Sequence, residues 1–277
     1  MAKKPQTTAV VDWEAEMEAQ AKIAAEAQRS GGGGGKFFSM KAGQLKFDDV
    51  ALPGNMMAVV ILADTIENSY YDTPYDPNTP TSPKCFAFAR VENDLEPHEA
   101  VDNDPYFERQ HDVCNGCPRN EWGSARTGKG KACSNVMRIA MIPAGEYKKG
   151  PGRTAALELT MFDEEEHFEK ADVAYMKIPV MSVKNYSSFV KGLANEMRRP
   201  PHGVFTNIVV EPDDKSQFKV LFEAIGPIPN NLMPIIMKRH KVTQDGIDFP
   251  YTPPQEREDP APKTVNQKLK KAAGGRR

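Results

Sequence analysis

Between Lys36 and Ile225 the chain carries eight short runs rich in β-branched, aromatic and aliphatic residues: KFFSM, QLKFDDV, NMMAVVILADT, KCFAFAR, NVMRIAMIP, TAALELTMF, GVFTNIVVE and QFKVLFEAI. Gly, Pro, Asn and Asp separate them, residues that favour turns through positive φ, a fixed φ or hydrogen bonds to their own backbone. Strands this short cannot bury an apolar face alone, so they must pack together. The pattern predicts a mainly β, α+β domain, an antiparallel barrel or sandwich, interrupted by one or two packed helices.

The clearer helix is SVKNYSSFVKGLANEMRR, where Tyr186, Phe189, Val190, Leu193 and Met197 recur at three- and four-residue spacings. Ser182 is the expected cap, and Pro200 and Pro201 the stop. NNLMPIIMKRH is a second candidate, expected to be short because Pro234 stands near its start.

The ends read differently from this middle. Residues 12–29 are rich in Ala and Glu, with Asp12 placed to cap a helix, and SGGGGG at 30–35 follows as a flexible linker. Residues 1–35 are therefore read as an appendage, either a partner-docking arm or a frayed helix. The folded domain is assigned to 36–245 and a disordered basic tail to 246–277, where Pro and charge accumulate. Seven Lys and Arg against three acids after Gln255 leave the rest of the chain at −6, within a total of −2. No global basic field marks a polyanion partner, so a nucleic-acid surface has to be local. No apolar run is long enough to span a bilayer and no signal peptide opens the chain, which predicts a cytosolic protein without membrane contact.

Three of the four cysteines crowd into twenty residues, Cys114, Cys117 and Cys133. C-x-x-C lets a tight turn aim two thiolates at one tetrahedral ion, and Cys133 follows at an interval common for a second half-site. Cys85 is the preferred fourth ligand because it completes four soft thiolates, with His111 as the competitor. Zinc is the metal expected of such a set, in a closed structural site with no position left for a reacting water.

Inside the cysteines, GSARTGKG resembles a nucleotide-binding loop, but Gly130 stands where Ser or Thr must hold magnesium. No strand–helix alternation supports it either. What remains is a glycine-rich cationic loop whose amides can approach an anion closely. Arg119, Arg126, Lys129 and Lys131 supply its charge against Glu121, and they are the expected DNA-backbone contacts. Trp122 is assigned to base stacking, with a lid over the metal as its other reading. Tyr70 and Tyr71, adjacent in a polar stretch, are the further stacking candidates; Phe37, Phe38, Tyr75, Phe86 and Phe88 fit a platform but default to the core. Phe86 and Phe88 share one strand face and Cys85 takes the other.

A catalytic reading finds little support. DEEEH at 163–167 is read as a solvated turn, His98, His202 and His240 lack ligand spacing, and the cysteines are committed to metal. The expected protein is not an enzyme.

The order of GQLKFDD, LPGNMMAVVILAD, NSYYDTPYDP, KCFAFAR, CNGCPRNEWGS with GKGKACSNVMRIAMIP, and PVMSVKNYSSFVKGLAN before VFTNIVVE resembles a family of bacteriophage single-stranded DNA-binding proteins. The similarity spans residues 36 to about 226. It implies an OB-like barrel with an inserted zinc-binding loop, Cys85, Cys114, Cys117 and Cys133 as the zinc ligands, and His111 as a bystander. It further implies binding and protection of single-stranded DNA during phage replication and recombination in the host cytoplasm, beside a polymerase or helicase-primase. The alternative is a zinc-stapled interaction protein that docks on a replication or virion partner. Such proteins often end in an acidic tail, whereas this chain ends KLKKAAGGRR, a tail suited to extra phosphate contacts.

Overall fold

The computed structural model describes residues 36–41, 43–47, 50–74, 81–150, 156–214 and 216–254. The expected helix at 12–29, the linker at 30–35, Tyr75 and the basic residues from 255 onward lie outside the described residues. In chain order come β1 (Lys36–Lys41), β2 (Gln44–Phe47), β3 (Val50–Ala51), β4 (Met56–Tyr70), β5 (Cys85–Ala89) and the short α1 (Ala100–Asn103). Then follow β6 (Cys133–Lys149), β7 (Leu157–Met161), α2 (Glu165–Lys170), β8 (Ala174–Ile178), α3 (Val180–Gly192), β9 (Val204–Asp213), β10 (Gln217–Pro227) and α4 (Met233–Gly246).

The mainly β architecture is as expected, but the sheet differs from a closed antiparallel barrel. Its ten strands run β10-β9-β4-β6-β8-β1-β2-β3, with β5 added to β4 and β7 to β6. That path is open among the described residues, and β1 lies parallel to β8. An unanticipated strand explains the difference. β8, whose AYMKI sequence alternates between buried and half-buried positions, takes the free edge of β6 and brings β1 to the sheet in parallel.

Two long strands form the spine. β4 pairs antiparallel with β6 from Ala58 opposite Gly145 to Tyr70 opposite Cys133, with irregularities at Ala58/Val59 and Ile61/Ala63. Each spine strand changes its outer neighbour midway. β4 meets β9 over Met56–Val59 and β5 over Ile66–Tyr70, while β6 meets β8 over Met137–Met141 and β7 over Gly145–Lys149.

The first half of β4 is continuously apolar because helices cover both of its faces. Met57, Val59 and Ile61 pack with Ile139, Met141, Ile208 and Val220 against Tyr186, Phe189 and Val190 of α3. Val60 and Leu62 pack with Ile142 and Ala144 against Phe168 of α2 and Ile236 of α4. Each fully buried Leu or Ile here contributes roughly 1.5–3 kcal/mol.

The helices match the apolar spacing and correct their ends. α3 begins at Val180, and Ser182 does not cap it: its buried hydroxyl accepts from the Val220 amide at 3.0 Å, tying the helix to β10. A π-helical turn at Leu193–Met197 and a left-handed Arg198 (φ 53) precede the expected proline stop. α4 is longer than expected, fourteen residues, because Pro234 occupies its first turn, where a missing N–H costs no helical hydrogen bond. DEEEH is partly helical rather than a turn, since buried Phe168 draws α2 onto the core; its acids are exposed, as expected. Among the described residues no helix is long and apolar enough to cross a membrane.

Candidate metal centre and its basic loop

The far half of the spine is built on polar contacts. Glu67 on β4 and Arg138 on β6 are both buried, and Arg138 Nε donates to Glu67 Oε2 at 2.7 Å. Lys177 of β8 lies 2.8 Å from the other carboxylate oxygen, which also accepts from the Tyr251 hydroxyl. Burial opposes ionisation of Glu67, yet Lys177 and Arg138 outweigh it and hold the carboxyl below its ordinary range. The Arg138 guanidinium lies 4.4 Å from the Phe88 ring and 4.3 Å from that of Phe249, and it donates to the Ile247 and Phe249 carbonyls. Thus the domain boundary expected after residue 245 falls inside a packed segment, with Ile247 fully buried.

Beyond this network β4 ends at Tyr70, which pairs with Cys85 on one side and Cys133 on the other. Two cysteines therefore begin two strands in the same cross-strand rank, about two interstrand spacings, or ~10 Å, apart. The remaining two come from the connecting segment. Cys114 N donates to Leu95 O at 2.9 Å, Gly116 takes the left-handed φ of 79° that a tight turn requires, and Cys117 is buried.

All four cysteines border one pocket, with Asn68, Gln110, His111, Arg119 and Asn120 among its walls. Burial first, then the charges of neighbouring thiols, pushes Cys114 up to about 11 and Cys133 up to about 12, and burial also raises Cys85. Cys85, Cys114 and Cys133 hold their protons at neutral pH, so binding a metal ion through them has to release those protons. Four soft sulfur donors border this one pocket, the donor type a thiophilic ion prefers. As they stand, however, no three His, Cys, Asp or Glu side chains among the described residues converge closely enough to hold one. His111 is exposed, and its Nδ1 lies 2.9 Å from the Val113 carbonyl of its own loop.

The segment between Cys117 and Cys133 folds back on itself. Gly123 N and Ala125 N both donate to Gly130 O, at 2.9 and 3.1 Å, while Ser124 Oγ donates to Arg119 O and accepts from Ala132 N. Gly123 and Gly128 have φ of 87° and 77°, open only to glycine at low cost. The loop leads into β6 and not into a helix, so it lacks the strand-to-helix setting of a nucleotide loop.

The candidate DNA contacts differ in exposure and in what they touch. Arg126 and Lys129 are exposed at the loop tip and Trp122 is 77% exposed. Lys131 is half-buried, 3.3 Å from Asn120 Oδ1 and 5.8 Å from the Trp122 ring centroid. Exposed Arg119 lies over the Tyr70 ring at 4.9 Å and donates to Gln110, so Tyr70, 9% exposed, packs beneath a cation and is not open to a base. Tyr71 is 37% exposed at the end of β4. Of the platform aromatics, Phe86 is buried among Phe107, His98 and Tyr251, and Phe88 covers Arg138.

Sequence reasoning missed the residues that hold this end together: Glu67, Asn68, Asn120, Asn135, Arg138, Lys177 and Tyr251. For Glu67, Asn68, Asn135, Arg138 and Lys177 the one sequence signal is polarity inside a strand, and Asn120 and Tyr251 lie outside any strand. Comparison of the chain with protein-family models, curated proteins and solved structures finds no match.

Proposed function

We propose that this protein binds and protects single-stranded DNA during phage replication and recombination, largely without sequence preference and without catalysing a reaction. The observation that carries the proposal is the loop between Cys117 and Cys133, which holds exposed Trp122, Arg126 and Lys129 beside a pocket bordered by four cysteines. In this reading the cations follow the phosphate backbone and Trp122 stacks on a base, a contact that contributes about 1–3 kcal/mol per base and tolerates any sequence. Zinc, held by Cys85, Cys114, Cys117 and Cys133, supplies a structural crosslink between the loop and the β5 and β6 strand ends. The open sheet serves as the rigid support, in the role the OB-like barrel was expected to fill.

The test is fluorescence anisotropy of a labelled oligonucleotide over a range of salt concentrations. Tight binding to single strands that weakens steeply with salt, together with about one zinc per chain in the purified protein, is the expected outcome. Preference for duplex, or no binding at low salt, defeats the reading.

A further inference from the structure

The Asn68 side chain is 2% exposed, in the middle of three paired strands, opposite Ala87 on one side and Asn135 on the other. Its two polar atoms are treated differently. Oδ1 accepts from Asn135 Nδ2 at 2.6 Å, whereas Nδ2 is buried with no acceptor at hydrogen-bonding geometry. An unsatisfied buried amide costs about 1–3 kcal/mol, so a position that keeps one calls for an acceptor supplied by another state of the protein. Asn68 lines the cysteine pocket, and the neighbour on which its amide acts is the Cys114 sulfur.

A neutral thiol is a weak acceptor, and a thiolate is a strong one. Cys85 already faces a donor of this kind in the Gln110 backbone N–H. Asn68 offers Cys114 the side-chain counterpart.

Two further asparagines fix its orientation. Asn135 Nδ2 donates both to Asn68 Oδ1 and, at 3.0 Å, to Asn120 Oδ1. Asn120 Nδ2 in turn donates to the Cys114 carbonyl at 3.0 Å, and Lys131 Nζ approaches the same Asn120 oxygen. Flipping Asn68 would set Asn135 Nδ2 against another donor, so the ladder holds the Asn68 N–H toward the sulfur.

We propose that Asn68 is a positioning residue of the metal centre: its Nδ2 donates to the Cys114 thiolate when the four cysteines hold a thiophilic ion, and Asn135 and Asn120 aim it. This rests on the metal reading above. Outer-shell donors of this kind orient a ligand and tune its basicity, and their loss typically costs about 10–100-fold in metal affinity.

The experiment uses full-length protein and three variants, Asn68→Leu, Asn68→Asp and Asn135→Ala. Zinc affinity is measured by competition with a chromophoric chelator, and the sulfur-to-metal charge-transfer bands are recorded after cobalt(II) substitution. Asn68→Asp keeps an oxygen for Asn135 and sets a carboxyl oxygen in place of the amide that faces Cys114, at nearly unchanged volume, so it separates the donor from simple packing. Both Asn68 variants are expected to lose about 10–100-fold in zinc affinity and to shift the cobalt bands, and Asn135→Ala to lose less. Urea unfolding of the metal-free proteins separates this loss from general destabilisation. An Asn68→Asp protein with wild-type affinity and spectrum overturns the role of Asn68 alone. A wild-type protein that binds neither zinc nor cobalt overturns the metal reading, and this inference with it.

Discussion

The two halves of the β4–β6 spine follow different physics within one pair of strands. From Met57 to Ala63, β4 is buried on both faces by aliphatic and aromatic side chains, and no ion pair is needed to hold it. From Thr65 to Tyr70 it is equally buried, but the buried groups include Glu67, Asn68 and Ser69. Apolar packing is non-directional and tolerates repacking, whereas a buried polar group is stable only with its particular partner in place. One half is therefore stable by composition and the other by matching. The matched half carries the cysteines and the basic loop.

The largest effects test that contrast directly. Glu67→Leu leaves buried Arg138 and half-exposed Lys177 beside an apolar side chain, and loss of one partner of a buried pair costs about 3–5 kcal/mol. Urea denaturation should show that loss, and Glu67→Leu/Arg138→Met should recover most of it, because the remaining uncompensated charge is the half-exposed Lys177. At the apolar end, Leu62→Ala should cost about 2–5 kcal/mol through a cavity that no second polar change can rescue. Equal behaviour of the two ends would erase the distinction.

The same contrast explains what could be read from the sequence. NMMAVVILADT announces a buried strand because continuous apolarity is a local property, and Tyr186, Phe189 and Val190 reveal the face of α3 for the same reason. Glu67 and Arg138 are 71 positions apart and Asn68 and Asn135 are 67, so their pairing exists only once the register of β4 on β6 is known. Cys114, Cys117 and Cys133 are legible through their spacing and Cys85 as the remaining thiol, and all four border one pocket, but the Asn68 amide beside them is not legible. β8 escaped notice because AYMKI is five residues long and Ala and Lys dilute its alternation. Tyr70 was assigned to a base-stacking surface because polar neighbours in sequence do not show that Arg119 covers it in space.

A smaller effect tests whether the apolar half is as indifferent to protons as its composition suggests. The His202 and His240 rings stack at 3.8 Å, with His240 Nδ1 2.6 Å from the Leu62 carbonyl, where it donates. Burial, reinforced by His240, pushes His202 down to about 4. The unfolded chain therefore binds a proton near pH 6.5 that the folded protein refuses until about pH 4. Stability is complete above 6.5 and is lost as pH falls through that window. His202 is partly exposed, so the full shift is discounted to about 1–2 kcal/mol. Urea midpoints measured from pH 7 to 4 should fall for the wild type and flatten for His202→Gln; parallel profiles would show that the stack carries no linkage.

The last prediction turns the contrast onto the loop, where exposed and engaged cations sit a few residues apart. Arg126 and Lys129 have no ion-pair partner among the described residues, while Lys131 reaches Asn120, whose amide holds the Cys114 carbonyl. A cation that contacts a phosphate releases a counterion when it binds, contributing about 0.7 to the logarithmic salt slope on a single strand. Arg126→Ala and Lys129→Ala should each lower that slope by about this amount and leave the unfolding midpoint unchanged, because neither holds the fold. Lys131→Ala should weaken DNA binding by a different route, lowering zinc affinity as well, because the Asn120 oxygen loses a donor next to the turn that carries Cys114. If all three variants shift the salt slope alike and none affects zinc, then Lys131 is a phosphate contact like the others, and the asparagine ladder ends at Asn120.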